Sequence, residues 1–432
     1  MTEGLRALGV AGLFLAIFVL AELLKRAFHP PPELTRKFVH FAGGLVVAAF
    51  PWLLSSPWTV LALSCAFGGI LWISRRLGLL SSVHGVARRS QGGLYYPLAV
   101  FLLFWLSADQ RAFYLVSAIA LVLSDTLAAL VGTAYGRHPY AVEQDTRSLE
   151  GSAVFFLTTF LGVHLPLLLM TDLDRRLIVL VALIMALLLT AFEAISLEGN
   201  DNLIVPLASY FMLVKLTDKS VAHLTVQLAA LLGCLSVTLL LAWKLRTFSL
   251  AGAVGASLVL FGSFSLGGPL WAVPPFAALV AYLLLRRRFP DRHQVLAVFY
   301  VCLVPTLMLL GNNALTTGLK WPGDPLFFPF VGAVAAQLAI LIYLEMPEKP
   351  FQATLLGALA VLPLSLWLHP EASGAAWTCL PAVLLAPLIY HGLRRRYGLP
   401  EGYPMVRRQA LATLLPTAVA AALQLSSSPP GG

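Results

Sequence analysis

The chain has 432 residues, 59% of them hydrophobic and only 11% charged, with a mean hydropathy of +0.84. Such values belong to polytopic membrane proteins and exclude a soluble globular enzyme. The formal net charge of +9 does not mark a nucleic-acid binder, because the basic residues are gathered in loops on one side of the expected membrane. The expected fold is all-α, a polytopic transmembrane helical protein with roughly 14–16 spans of about 20 residues each.

The first apolar run, Leu8 to Leu24, lacks a small-residue cleavage site and reads as a retained span rather than a cleaved signal. When the loops are numbered alternately, most of the 29 Lys and Arg fall on the side holding 25–37, 75–93, 132–152, 286–293 and 392–408. By the positive-inside rule that side is cytoplasmic and the amino terminus is outside. The four cysteines, Cys65, Cys234, Cys302 and Cys379, stand singly in apolar runs and read as small buried hydrophobes, with no metal or disulfide spacing.

Past the first span, Pro30, Pro31 and Pro32 hold the chain out of helix, and Arg36, Lys37 and His40 then share one face ahead of Gly43 and Gly44. They read either as an interfacial basic anchor or as a site for a phosphate or substrate. The next cytoplasmic loop carries Arg75, Arg76, His84, Arg88 and Arg89 and ends in Gln91-Gly92-Gly93-Leu94-Tyr95-Tyr96-Pro97, where glycines beside tyrosines mark a close backbone approach or a membrane-level turn. A short outside loop with Asp109 and Arg111 follows.

The chain is organised around Ser124–Ser152. Asp125 lies in an apolar run, where a carboxylate costs roughly 2.5–3.5 kcal/mol and normally faces a cavity, a partner or an ion. Gly132 and Gly136 are spaced for close helix packing, and Arg137 and Arg147 are suited to bidentate phosphate contacts. In Arg147-Ser148-Leu149-Glu150-Gly151-Ser152 the start of the next span offers backbone N–H groups to an anion, or Ser148 or Ser152 simply caps it. A later cytoplasmic loop, Glu193 to Leu207, contains Glu198, Asp201 and Asn202 and no Lys or Arg, as a Mg²⁺–nucleotide site requires.

Four of these motifs, in this order, carry a resemblance. Arg36-Lys37 with His40, the Gly-Gly-Leu-Tyr-Tyr-Pro run, Asp125 through Arg137 with Arg147–Ser152, and Asp201-Asn202-Leu203 with Val205-Pro206-Leu207 resemble the CTP-dependent polyprenol kinases, typified by phytol kinase and dolichol kinase. That group is distantly similar to the CDP-diglyceride synthases. The resemblance implies transfer of the γ-phosphoryl group of CTP, or another nucleotide, to an isoprenoid alcohol on Mg²⁺. It implies Asp125, Asp201 and Asn202 as metal ligands, and Arg36, Lys37, Gly132, Gly136, Arg137, Arg147, Ser148, Gly151 and Ser152 around the nucleotide. Asp201, Glu150 or His40 would act as base. The family has Gly before the acid and often Lys before Ser-Leu-Glu-Gly-Ser; here Ser124 and Arg147 stand instead.

Residues 241–432 form a second expected domain after a catalytic one at 1–240. From Arg246 through Gln294-Val295-Leu296-Ala297 it resembles the family of plant phytyl-phosphate kinase, but Phe330–Ala339 has no acid where that family carries one. Arg394, Arg395, Arg396, Arg407 and Arg408 read as topological or headgroup contacts, and Ser426–Gly432 as a disordered tail. Two other readings stand beside the kinase: CTP-dependent cytidylyl transfer to a lipid phosphate, and a non-catalytic transporter or scaffold with Asp125 as its coupling acid. The carboxy-terminal signature of the diglyceride synthases is absent. The expected setting is a prokaryotic inner membrane, with the active-site loops at the cytoplasmic face.

Overall fold

The structure is a computed structural model describing all residues except 1, 85–91, 109, 198, 247, 286–293, 347–348, 399–402 and 428–432. Arg88, Arg89, Gln91, Asp109, Glu198, Arg292, His293 and most of the terminal tail therefore lie outside the described residues. The chain divides into two compact units, Met1–Ala229 and Ala230–Gly432.

The described residues are helical almost throughout, as they must be in hydrocarbon, where a helix satisfies its backbone internally. Among the described residues twelve helices are long and apolar enough to cross a membrane, and Tyr95–Leu106 and Pro269–Leu285 are shorter apolar helices. The fold is thus the expected all-α polytopic one, and the short pair is needed to reach the lower end of the expected number of spans.

The first unit runs α1 (Glu3–Phe28), α2 (Pro32–Ala48), α3 (Phe50–Leu53), α4 (Pro57–Arg76), α5 (Ser81–His84), α6 (Gly92–Leu106), α7 (Arg111–Ile119), α8 (Asp125–Tyr135), α9 (Leu149–Met170), α10 (Arg175–Ile195) and α11 (Asp201–Leu216), with the unit boundary inside α12 (Val221–Leu245). Asp174 begins α10 by accepting from the N–H groups of Arg176 (2.7 Å) and Leu177 (3.2 Å), a helix cap. α10 is apolar on nearly all sides and is the most buried span of this unit. On α4, by contrast, Trp58, Ile73 and the following Leu77 are exposed, as on a lipid-facing surface.

α7 and α8 form one continuous span, Arg111–Tyr135, interrupted by a π-helical turn at Ala120–Ser124. Between α8 and α9 the expected polar loop is instead an antiparallel hairpin of β1 (Pro139–Val142) and β2 (Asp145–Ser148), pairing Tyr140 with Arg147. Its tight connection places Glu143 at φ 55°.

The second unit contains α13 (Leu250–Gly267), α14 (Pro269–Leu285), α15 (Val295–Asn313), α16 (Phe327–Glu345), α17 (Pro350–Leu368), α18 (Leu380–Tyr397) and α19 (Tyr403–Ser427). α16 is its centre and is buried along nearly its whole length. Trp271 is fully buried against Phe327 and Phe330, at ring separations of 5.3 and 4.8 Å. Gln337 is buried in α16, where the resembled family has an acid. Its Nε2 donates to Thr413 Oγ1 (2.8 Å), and its backbone carbonyl accepts from Gln409 Nε2 (3.2 Å). These two hydrogen bonds tie α16 to α19 with no charge. The cysteine expectation needs correction: Cys379 is buried, but Cys234 and Cys302 are partly buried and Cys65 is exposed, since α4 turns that face outward.

Candidate active site

A cavity of about 990 Å³ lies within the first unit. Its polar end is formed by α2, α8, the end of β2, the start of α9 and the start of α11, and its apolar wall by α1, α2, α4 and α6. One volume therefore joins charged groups to a hydrocarbon-lined space.

The polar end is built on Asp125. The π turn inserts an extra residue just before it, a local irregularity that frequently marks functional sites. Lys37 of α2 donates from Nζ to both carboxylate oxygens of Asp125 at 2.7 Å and lies 3.3 Å from its carbonyl oxygen. The two side chains are 7% and 18% exposed, so the pair is largely shielded from water. His40, one turn further along α2, holds Nε2 3.4 Å from Asp125 Oδ2 and 3.5 Å from the Leu121 carbonyl. Two acceptors facing one ring nitrogen favour the tautomer with its proton on Nε2, in which Nδ1 is an acceptor. Arg36 is paired with Glu33 at 2.5 and 3.1 Å, and the charges of Asp125 and Asp201 also act on it.

The hairpin delivers Arg147. Its Nη1 pairs with Glu193 at the end of α10, and Nη2 donates to the Ser196 hydroxyl (2.8 Å) and carbonyl (3.2 Å). Its Nε–H is buried with no partner. A guanidinium fixed on one side, with an unsatisfied donor remaining, is arranged to accept an anionic ligand. Opposite it on β1, the Tyr140 hydroxyl is 2.8 Å from Ser152 Oγ, and burial pushes its phenol above the usual range, so it stays neutral.

Three glycines let the hairpin, α8 and α9 meet. A Cβ on Gly151 would stand 3.0 Å from the Ala128 carbonyl, and one on Gly132 would stand 3.0 Å from Ser148 Oγ. Gly136 packs against the same serine. Ser148 caps α9 by accepting from the Gly151 N–H (3.1 Å), while the Leu149 N–H donates to the His138 carbonyl (3.0 Å). Two N–H groups that the sequence offers to an anion are thus satisfied internally. Ser148→Ala is expected to cost about 1 kcal/mol through loss of this cap, seen as a lowered midpoint in thermal unfolding of the detergent-solubilised protein.

Over 207 residues the chain is 39% identical to the phytol kinase of Synechocystis sp. (strain ATCC 27184 / PCC 6803 / Kazusa), an alignment covering 47% of this chain and 88% of that protein. The chain belongs to the phytol kinase family. No family model matches the chain, and no solved structure does.

Within this family's chain the cavity brings together most of the expected residues: Arg36, Lys37, His40, Asp125, Gly132, Gly136, Arg147, Ser148, Gly151, Ser152, Asp201 and Asn202 all line it. Two do not join them. Arg137 is exposed on the connection to β1 and is not part of the lining. Glu150 is also outside the lining, and its carboxylate accepts from the His138 N–H (3.3 Å) and contacts its Nδ1 (2.6 Å), which fastens the hairpin to α9. Helix geometry explains both: α8 persists to Tyr135 and turns Arg137 outward, and Glu150 projects from the far side of the first turn of α9.

Sequence reading missed Glu193, the counter-ion of Arg147, because an acid at the end of an apolar helix is indistinguishable from a solvated helix end. It also gave no role to Tyr96. That ring packs edge-on to His40 at 5.2 Å, lines the cavity, and holds a buried hydroxyl without a partner.

The oxygen donors of Asp125, Asp201 and Asn202 suit a hard cation such as Mg²⁺. Among the described residues no three His, Cys, Asp or Glu side chains are preassembled around a point. That composition fits a Mg²⁺ held by one or two carboxylates and by the phosphates of its ligand. One carboxylate oxygen of Asp201 accepts from the Asn202 N–H (3.0 Å) at the head of α11.

Proposed function

We propose that this protein transfers the γ-phosphoryl group of a nucleoside triphosphate, CTP by family resemblance, to the hydroxyl of an isoprenoid alcohol. The observation carrying the proposal is a single cavity with Asp125, Lys37, His40 and Arg147 at one end and aromatic and aliphatic walls at the other. A phosphoryl acceptor with a long hydrocarbon tail needs both halves. The likeness to a phytol kinase supports the same acceptor class.

Phosphoryl transfer asks the protein chiefly for positioning and charge neutralisation. Arg147, restrained by Glu193 and Ser196, would direct its free Nε–H to phosphate oxygens. Lys37 would hold Asp125 in place and lend positive charge to the same end. Asp201, Asn202 and Asp125 would hold Mg²⁺, which when bound neutralises charge on the phosphates. The alcohol oxygen attacks the γ-phosphorus, the bond to the β-phosphate oxygen breaks, and the nucleoside diphosphate leaves. His40, with Nε2 turned to Asp125 and Leu121, would take the hydroxyl proton on Nδ1. By the positive-inside rule these groups would face the cytoplasm, where nucleotides are, with the amino terminus outside. The second unit, whose Phe330–Ala339 segment has no acid, would lack a catalytic carboxylate of its own in that segment.

The test uses purified full-length protein with Mg²⁺, a prenol, and CTP labelled at either the α or the γ phosphorus, with unlabelled ATP, GTP and UTP as competitors. The expected result is label in lipid from γ-CTP alone, diluted best by unlabelled CTP. Lipid labelled from α-CTP when a lipid phosphate is supplied would replace the kinase with a cytidylyltransferase.

A further inference from the structure

α6 lines the cavity with Gly93, Tyr96, Pro97 and Val100, whose spacings of three and four residues put them on one helix face. Tyr96 is held there by packing. Its ring lies against the buried cluster of Val47, Val100 and Tyr114, and edge-on to His40 with 5.2 Å between ring centres.

Other tyrosines of this unit give their hydroxyl protons to the backbone: Tyr114 to the Val47 carbonyl (2.9 Å) and Tyr210 to the Leu106 carbonyl (2.6 Å). The Tyr96 hydroxyl is buried and has no partner among the described residues. An O–H buried without a partner is costly, so the group needs an acceptor from outside the chain. Such an acceptor has room in the cavity that Tyr96 lines.

His40 supplies the matching half. In the tautomer favoured by Asp125 and the Leu121 carbonyl, Nε2 carries the proton and Nδ1 is an acceptor. One donor and one acceptor on neighbouring rings fit an alcohol. Its O–H gives to Nδ1 and one oxygen lone pair accepts from Tyr96, which leaves the other lone pair for phosphorus.

We propose that Tyr96 is an acceptor-binding residue that recognises and orients the alcohol oxygen beside His40. The assignment rests on the proposed function, in which His40 takes the proton of that hydroxyl as the oxygen–phosphorus bond forms and the nucleoside diphosphate leaves. Tyr96 keeps its own proton throughout, so it orients the attacking oxygen and takes no part in acid–base exchange.

The experiment compares tritiated geranylgeraniol with the hydrocarbon of the same skeleton lacking the hydroxyl. Both are measured by retention on full-length, detergent-solubilised protein without nucleotide, for the wild type and Tyr96→Phe. Wild type is expected to hold the alcohol at least about tenfold more tightly than the hydrocarbon. Tyr96→Phe keeps a ring against His40 and should weaken the alcohol about tenfold while leaving the hydrocarbon unchanged. Its thermal midpoint should equal or exceed that of the wild type, because the hydroxyl removed has no partner to lose. In phosphorylation assays the variant should lower kcat/KM for the prenol about tenfold and leave the nucleotide KM unchanged. If the wild type phosphorylates no prenol, the proposed function falls, and the retention comparison still decides the role of Tyr96. An alcohol preference that survives Tyr96→Phe, or equal losses for alcohol and hydrocarbon, would overturn the proposal. A lowered midpoint would overturn it as well, by assigning the hydroxyl to the fold.

Discussion

Asp125→Asn is expected to lower kcat by about 10³-fold or more, the largest single effect in the molecule, on the scale of removing a preorganised electrostatic group from a water-poor site. The substitution keeps shape but removes the charge that Lys37 meets with 2.7 Å contacts to both oxygens. It also leaves a lysine with a 7% exposed side chain lacking its counter-ion, and breaking a buried pair costs about 3–5 kcal/mol of stability. The two effects separate in a double-mutant cycle. Lys37→Met combined with Asp125→Asn removes both charges, so the double variant should unfold closer to wild type than either single variant and yet remain inactive. Recovery of activity together with stability would mean that the pair only holds α2 to α8.

Arg147→Ala is expected to raise the nucleotide KM by about 10–100-fold, the range of one or two hydrogen bonds from a charged donor to phosphate, while leaving the prenol KM unchanged. It leaves the 8% exposed Glu193 unpaired and so also destabilises the protein. Adding Glu193→Gln should restore stability without restoring the nucleotide KM. Arg147→Lys should fall between the two. One ammonium cannot reproduce at once the Glu193 pair, the two Ser196 contacts and the free Nε–H. Equal losses in both KM values would assign Arg147 to hairpin architecture rather than to the nucleotide.

The sequence made the membrane fold legible because hydropathy alone decides it: no polar backbone can be left open in lipid. It also located Asp125, Lys37, Arg147 and Asp201, whose charges are conspicuous against an apolar chain. Pairing between them was not legible. Lys37 and Asp125 are brought together by the packing of α2 on α8, and no local pattern announces that contact. The hairpin escaped as well, since Pro139–Ser148 has neither the alternation nor the Asn-Gly turn that signals one. Ser124, a departure from the family pattern, has a physical account in the structure: its hydroxyl accepts from Thr159 Oγ1 at 2.9 Å and joins the π turn to α9. Arg147 in place of lysine has another, in the three contacts it makes to Glu193 and Ser196. Arg137 and Glu150 show the opposite limit. Their residue types suit phosphate chemistry, but only the direction of a helix face decides whether they reach the cavity.

The most direct measurement incubates the purified chain with Mg²⁺, γ-labelled CTP and geranylgeraniol, and counts label extracted into the organic phase, with Asp125→Asn in parallel. The predicted result is label in a prenyl phosphate that requires the alcohol and the wild-type carboxylate. Label that stays in water, or reaches lipid equally well with Asp125→Asn, would contradict the account.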